Sequence, residues 1–202
     1  MTADWGRRSA MAGLASTLAT YGAIPIPARA DSESRLLVID DFQDRGGARR
    51  GGPSWMGFTD QVMGGRSTGG AKYDLIDGRR CLRLTGRVNT DGGGFVQMAV
   101  DLARDGKAFD ASGYAALELD VWGNDESYNC HIRSTDVRWY EQSYRATFHA
   151  PRQWTRIKLP WSQFVPHGLT MPLDLTGLMR VGLLGWMRDF DADLALSRIA
   201  LT

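Results

Sequence analysis

An excess of charge of either sign is missing from this chain: 24 Lys and Arg face 23 Asp and Glu, for a net +1. A protein whose main partner is nucleic acid or an anionic membrane concentrates basic residues. Here no Lys/Arg stripe interleaves with aromatics, so neither class is expected as a partner. Histidine is equally scarce. His131, His149 and His167 are the only three, far apart and without E-x-x-H or C-x-x-C companions, which leaves no pattern for a catalytic zinc site. Only two cysteines occur, Cys81 and Cys130, both in strand-like runs. An oxidising compartment would permit a bridge if the fold brings them together; small apolar core cysteines are the favoured reading.

Long hydrophobic runs are also absent. The most apolar stretch, residues 10–26, is broken by Gly13, Thr17, Thr20, Gly22 and Pro25, too interrupted for a membrane span. It follows Arg7-Arg8, contains no acidic residue and leads into Pro27-Ala28-Arg29-Ala30, an A-x-A-like cleavage position. Residues 1–30 are therefore expected to be an export signal. The paired arginines point to the twin-arginine route, with general secretory export as the alternative. The mature chain is then expected to be periplasmic or extracellular in a bacterium, with no transmembrane anchor. Taking the +2 of residues 1–30 from the whole-chain +1 leaves the mature part near −1. Residues 31–202 suffice for a single domain.

Helical periodicity is not sustained anywhere; Pro160–Phe164 and Asp174–Leu178 each offer a turn at most. Period-two alternation takes its place. Leu82 and Leu84 alternate with Arg83 and Thr85, and Leu117, Leu119 and Val121 with Glu118, Asp120 and Trp122. Cys130 and Ile132 likewise alternate with His131 and Arg133. Further strands are expected at residues 36–40, 71–76, 95–102, 139–149, 155–159, 179–186 and 194–201. Strands at this spacing, punctuated by Gly, Asp, Asn and Pro, predict an all-β fold of two antiparallel sheets, a sandwich or jelly roll.

Glycine is plentiful, and two runs of it stand out: Asp60-Gln61-Val62-Met63-Gly64-Gly65-Arg66-Ser67, and Asp91-Gly92-Gly93-Gly94-Phe95. Such runs persist where the backbone must turn or approach something closely. Gly65-Arg66-Ser67-Thr68-Gly69 fits G-x-S-x-G, but a nucleophile elbow needs a following helix and residues 72–76 read as a strand. Gly64 and Gly69 have phosphate-loop spacing, yet Gly70-Ala71 stand where Lys and Ser/Thr belong. The structural expectation is a loop that tucks Val62 and Met63 under one sheet while Asp60 and Ser67 bond exposed backbone groups. The functional alternative makes both loops the rim of a binding site.

The candidate ligand face is drawn from strand parity. Asp120 and Trp122 face away from Leu119 and Val121, and His131 and Arg133 away from Cys130 and Ile132. Trp139, Glu141 and Arg145 have the opposite parity to Tyr140, Tyr144 and Phe148, and whichever set faces out adds aromatic or polar groups to that sheet, with Trp139 and Arg145 taken as candidates. A sugar could stack there; burial of Trp122, Trp154, Trp161 and Trp186 in the core or at its ends is the favoured reading for each. Asp40, Asp191 and Asp193 are weak candidates for a structural calcium clip, with solvated charges as the favoured reading; no other cofactor is expected.

Trp55, the Asp60-x-Val62-Met63-Gly64-Gly65-x-Ser67 run, Asp91–Phe95, the residues from Tyr144 to Phe148 and Trp154-x-x-Ile157-x-Leu159-Pro160-Trp161-x-x-Phe164 occur in that order. The order resembles the complex I intermediate-associated protein family from about Asp40 to Leu201. The resemblance implies a galactose-binding-like jelly-roll β-sandwich similar to carbohydrate-binding modules. It further implies a chaperone-like, non-catalytic role in assembling NADH:ubiquinone oxidoreductase, binding a protein partner or partly folded subunit. Those assembly factors work in the mitochondrial matrix, whereas this chain carries an export-type N-terminus. A carbohydrate-binding module of the cell envelope is the alternative.

Overall fold

In the computed structural model, which describes residues 35–43, 53–103 and 107–202, the alternating segments become twelve antiparallel strands. They are β1 (Leu37–Asp40), β2 (Trp55–Thr59), β3 (Thr68–Ile76), β4 (Arg79–Val88), β5 (Phe95–Asp101) and β6 (Ala116–Gly123). The remainder are β7 (Glu126–Ser134), β8 (Ser143–Ala150), β9 (Thr155–Pro160), β10 (Val165–His167), β11 (Leu178–Trp186) and β12 (Phe190–Leu201). The first sheet runs β3-β4-β12-β6-β9, with β1 also paired to β12; the second runs β10-β8-β7-β11-β5-β2. The expected export signal, residues 1–30, lies outside the described residues.

Period-two alternation works here because each strand sends alternate side chains to one face. The inward set of the first sheet includes Leu84, Leu117, Leu119, Val121 and Leu194. It meets Val96, Met98, Val100, Cys130, Ile132, Tyr144, Val181 and Leu183 from the second, all essentially inaccessible to water. The two expected turns appear as 3-10 helices at Trp161–Gln163 and Leu175–Gly177.

Three departures have local causes. The strand expected at residues 139–149 begins only at Ser143. The preceding turn is closed by the Gln142 side-chain carbonyl, which accepts from Arg138 N and Trp139 N at 2.9 and 3.1 Å. Strands β2 and β10 went unread because they contain Gly57 and Pro166, residues that weaken a strand signal; each is the outermost strand of its sheet, where such residues are tolerated.

Cys81 stands on β4 of the first sheet and Cys130 on β7 of the second; both are buried and unbridged. Burial raises both thiol pKa values, that of Cys81 to about 11. Neither thiol is then an active nucleophile near neutral pH. A colorimetric thiol reagent should find neither cysteine in the native protein and both after unfolding without reductant. Failure to recover both thiols would reveal a bridge.

Candidate binding groove

The glycine-rich motif is a fastening built around Asp60. Thr59 caps the 3-10 turn Asp60–Met63, accepting from Gln61 N, and Gly64 follows with φ +87°, a left-handed conformation that favours glycine. This sends the Asp60 side chain inward, where it is fully buried. Its carboxylate accepts from Ser67 N (2.9 Å), Ser67 Oγ (2.7 Å), Gly94 N and Phe95 N (3.3 Å). Ser67 Oγ in turn accepts from Asn89 N at 3.0 Å. A Cβ at Gly65 or Gly93 would collide with that carboxylate, so both glycines are required by close approach. One buried anion thus joins the two glycine runs. Ser67 leads into strand β3, not a helix, as expected of a turn serine.

Val62 and Met63 are not tucked under a sheet. They are 70% and 49% exposed, because Asp60 takes the inward position of the turn and leaves its apolar neighbours on the outside. At the start of the second run, Arg66 and Asp91 form an exposed ion pair at 2.6 Å.

Val62 and Met63 overhang a groove of about 370 Å3 on the outward face of the second sheet. Its floor comes from alternate residues of β5, β11, β7 and β8: Phe95 and Gln97, then Gly182, Leu184 and Trp186, then His131 and Arg133, then Ser143 and Arg145. Phe58 of β2 and His167 of β10 close its edges, and Tyr140 rises from the loop before β8. Gly182 lies directly opposite His131 in the register. A Cβ there would strike the Gln97 side-chain amide, so this glycine lets Gln97 lean across the floor. Trp186 is the hub: the Arg145 guanidinium lies over its ring at 4.6 Å, the His131 ring meets it edge-on at 5.2 Å, and Phe95 sits at 6.4 Å.

The expected ligand face is therefore divided. His131, Arg133 and Arg145 do share one surface. Asp120 and Trp122 belong to β6 in the other sheet, where Asp120 is clamped by Arg156 (2.6 and 2.8 Å) and Trp122 sits 5.8 Å from the Arg83 guanidinium. Parity tells which side of its own sheet a residue faces, but not which sheet its strand joins. Trp139, 64% exposed, lies in the turn before β8 instead of on a strand, and Tyr140 lines the groove in its place. Trp186, expected in the core or at its ends, is part of the floor, as the alternation Leu183, Leu184, Gly185, Trp186 allowed.

Two of the three arginines lining the groove differ from the third, Arg180, and from the paired arginines elsewhere. Arg83, Arg156, Arg180, Arg188 and Arg198 each pair with a carboxylate. Among the described residues Arg133 and Arg145 have no such ion pair. Arg133 donates to the carbonyls of Tyr140 (3.0 Å) and Trp139 (3.3 Å). Arg145 donates to Ser143 Oγ (2.8 Å) and the Glu141 carbonyl (3.0 Å). Burial lowers both guanidinium pKa values, that of Arg145 to about 10, with Arg180 adding to the effect on Arg133. His131 is brought down to about 3, by burial first and then by Arg145 and His167, so its imidazole is neutral near pH 7. Its Nε2 is buried with no hydrogen-bond partner among the described residues.

The carboxylates considered for calcium are engaged otherwise. Asp40 accepts from the Trp55 indole N–H (2.9 Å), Asp193 takes Arg83 in a bidentate pair (2.7 Å each), and Asp191 lies 3.3 Å from Arg87. No group of three or more His, Cys, Asp or Glu among the described residues is placed to hold a metal. No helix among them is long and apolar enough to cross a membrane.

Among solved structures, the chain is similar to the Family 11 carbohydrate-binding module of the cellulosomal cellulase Lic26A-Cel5E of Clostridium thermocellum. The TM-score is 0.65 at 15% identity, over 83% of this chain and 94% of that one. The Family 11 module from Clostridium thermocellum in complex with a β-1,3-1,4-mixed-linked tetrasaccharide matches with a TM-score of 0.62 at 16% identity, over 82% and 94%. An exo-β-agarase matches with a TM-score of 0.51 at 12% identity, over 84% of this chain but 25% of that one. Likeness at these identities shows a shared jelly-roll fold. Comparison with curated protein sequences gives no match. The family comparison is specific: over residues 42–193, which include the Asp60 fastening and every residue lining the groove, the chain belongs to the Complex I intermediate-associated protein 30 family.

Proposed function

We propose that this chain is an exported, non-catalytic binding domain of the assembly-factor kind, and that the groove on its second sheet holds a segment of a protein partner or partly folded subunit. The observation that carries this reading is apolar surface held out to solvent around one groove. Val62, Met63 and Tyr140, 70%, 49% and 74% exposed, stand over a floor containing Phe95 and Trp186, with Phe58 at its edge. Exposed clusters of this kind mark interaction sites, and Met, Tyr, Trp and Arg are the residues that interface cores favour. Family membership supports the assembly role, and the N-terminal arginine pair and cleavage-like segment support export. Among the described residues Glu141 is the single carboxylate lining the groove, where glycoside hydrolysis would ordinarily need a pair.

A glycan is the second reading, favoured by the fold shared with a module solved with a tetrasaccharide and by Gln97, Arg133 and Glu141 beside the Trp186 ring. Aliphatic Val62 and Met63 have no part in sugar stacking, which places this reading second. Two measurements on the full chain separate them. The chain is expected to slow aggregation of a thermally unfolded test protein at near-stoichiometric ratio, and to give no calorimetric heat with mixed-linked glucan oligosaccharides. Micromolar glucan binding without any effect on aggregation would overturn the partner reading.

A further inference from the structure

Arginine is treated in two ways by this fold. Several arginines are matched to carboxylates: Arg83 with Asp193 and Arg156 with Asp120 on the first sheet, and Arg180, itself a groove residue, with Asp101. Inside the groove Arg133 and Arg145 are not, although both are half-buried and neither is simply out in water. Their hydrogen bonds to carbonyls and to Ser143 orient them, and Glu141, the one carboxylate lining the groove among the described residues, acts on Arg133 through space but forms no ion pair with either. A guanidinium has five N–H donors, so each retains donors beyond the two contacts named. A desolvated cation without a counter-charge is costly, and is stabilised when an anion arrives.

The two halves of the groove differ in chemistry. One end is Phe58, Phe95, Val62 and Met63; the other is Arg133, Arg145 and His131. His131, whose buried Nε2 has no hydrogen-bond partner among the described residues, lines the same groove.

We infer that the segment held in the groove carries an acidic side chain, received by Arg133 and Arg145, next to an apolar side chain seated against Val62, Met63 and Phe95. This rests on the groove being a partner site. Charge complementarity selects the acid, and the aliphatic wall selects a peptide over an acidic sugar. Carboxylate binding by guanidinium is charge-assisted, roughly twice as strong as a neutral hydrogen bond, so it decides which segments are retained.

The test uses the full chain and a set of capped peptides, each with a Phe or Leu near a single Glu, together with Gln and Lys counterparts. Capping removes the terminal carboxylate as a source of binding. Fluorescence anisotropy is expected to show the Glu peptides binding at least about tenfold more tightly than their Gln counterparts, with the Lys peptides weakest. In Arg133→Met and Arg145→Met proteins the Glu-over-Gln ratio should fall to about one. The Glu-over-Gln ratio in the unmutated protein decides the matter even if a variant folds poorly. Equal binding of Glu and Gln peptides would overturn the inference and leave the partner reading standing. Binding of oligogalacturonate in place of any peptide would overturn both.

Discussion

Substituting Asp60→Asn is expected to lower the melting temperature by roughly 6–12 °C, the shift that a loss of about 3 kcal/mol produces in a domain of this size. The Asp60 carboxylate is fully buried and accepts from four donors on two separate loops, Ser67 N, Ser67 Oγ, Gly94 N and Phe95 N. An asparagine of the same shape presents an NH2 group to donors that need an acceptor. Leaving such groups unsatisfied in the interior is what makes the substitution severe. A control isolates the effect: Asp91→Asn breaks an ion pair whose side chains are mostly exposed, and should change stability by less than about 1 kcal/mol. Differential scanning calorimetry of both variants checks the pair. Equal, small shifts would mean that the fastening is dispensable and the glycine motif owes its form to something else.

Trp186→Ala is expected to weaken partner binding by at least about 30-fold, equivalent to about 2 kcal/mol, with a smaller effect on stability. Trp186 is outside the buried core but touches Arg145, His131 and Phe95 at once. Removing it leaves a hole in the floor and releases the Arg145 guanidinium from the ring it lies over. Trp122→Ala is the matched comparison, since that residue lies on the other sheet and has no place in the groove. It should bind normally. If Trp122→Ala loses binding and Trp186→Ala does not, the site is on the first sheet and the groove is incidental.

How far these features are legible in the sequence depends on how local their causes are. Strands such as β6 and β7 are written in the alternation of Leu117, Leu119 and Val121, or of Cys130 and Ile132, because the inward face must be apolar wherever the strand ends up. Parity therefore identified His131 and Arg133 as outward-facing, and set Arg145 opposite Tyr144 and Phe148 without choosing between the two sides. It could not tell that β6 pairs with β9 and β12, away from β7, so Trp122 was assigned to the wrong surface. The Asp60 motif was recognisable as a built loop with Asp60 and Ser67 bonding backbone. Its actual partners, Gly94 and Phe95, are set by long-range approach and were beyond reach. Trp186 was masked by the general tendency of tryptophan to be buried. Its neighbours Gly182 and Leu184 in the same outward row were the usable signal, since a small residue beside an aromatic one opens space.

The central claim, that the second-sheet groove holds a protein segment, is tested most directly by photo-crosslinking in the cells that make the protein. A photoreactive amino acid would be placed at Met63 or Tyr140 on the groove walls, and at Lys158 or Trp122 on the first sheet. The expected result is one and the same protein adduct from Met63 and Tyr140, lost on Trp186→Ala, and none from Lys158 or Trp122. Adducts confined to the first-sheet positions, or none from either groove wall in correctly folded protein, would contradict it.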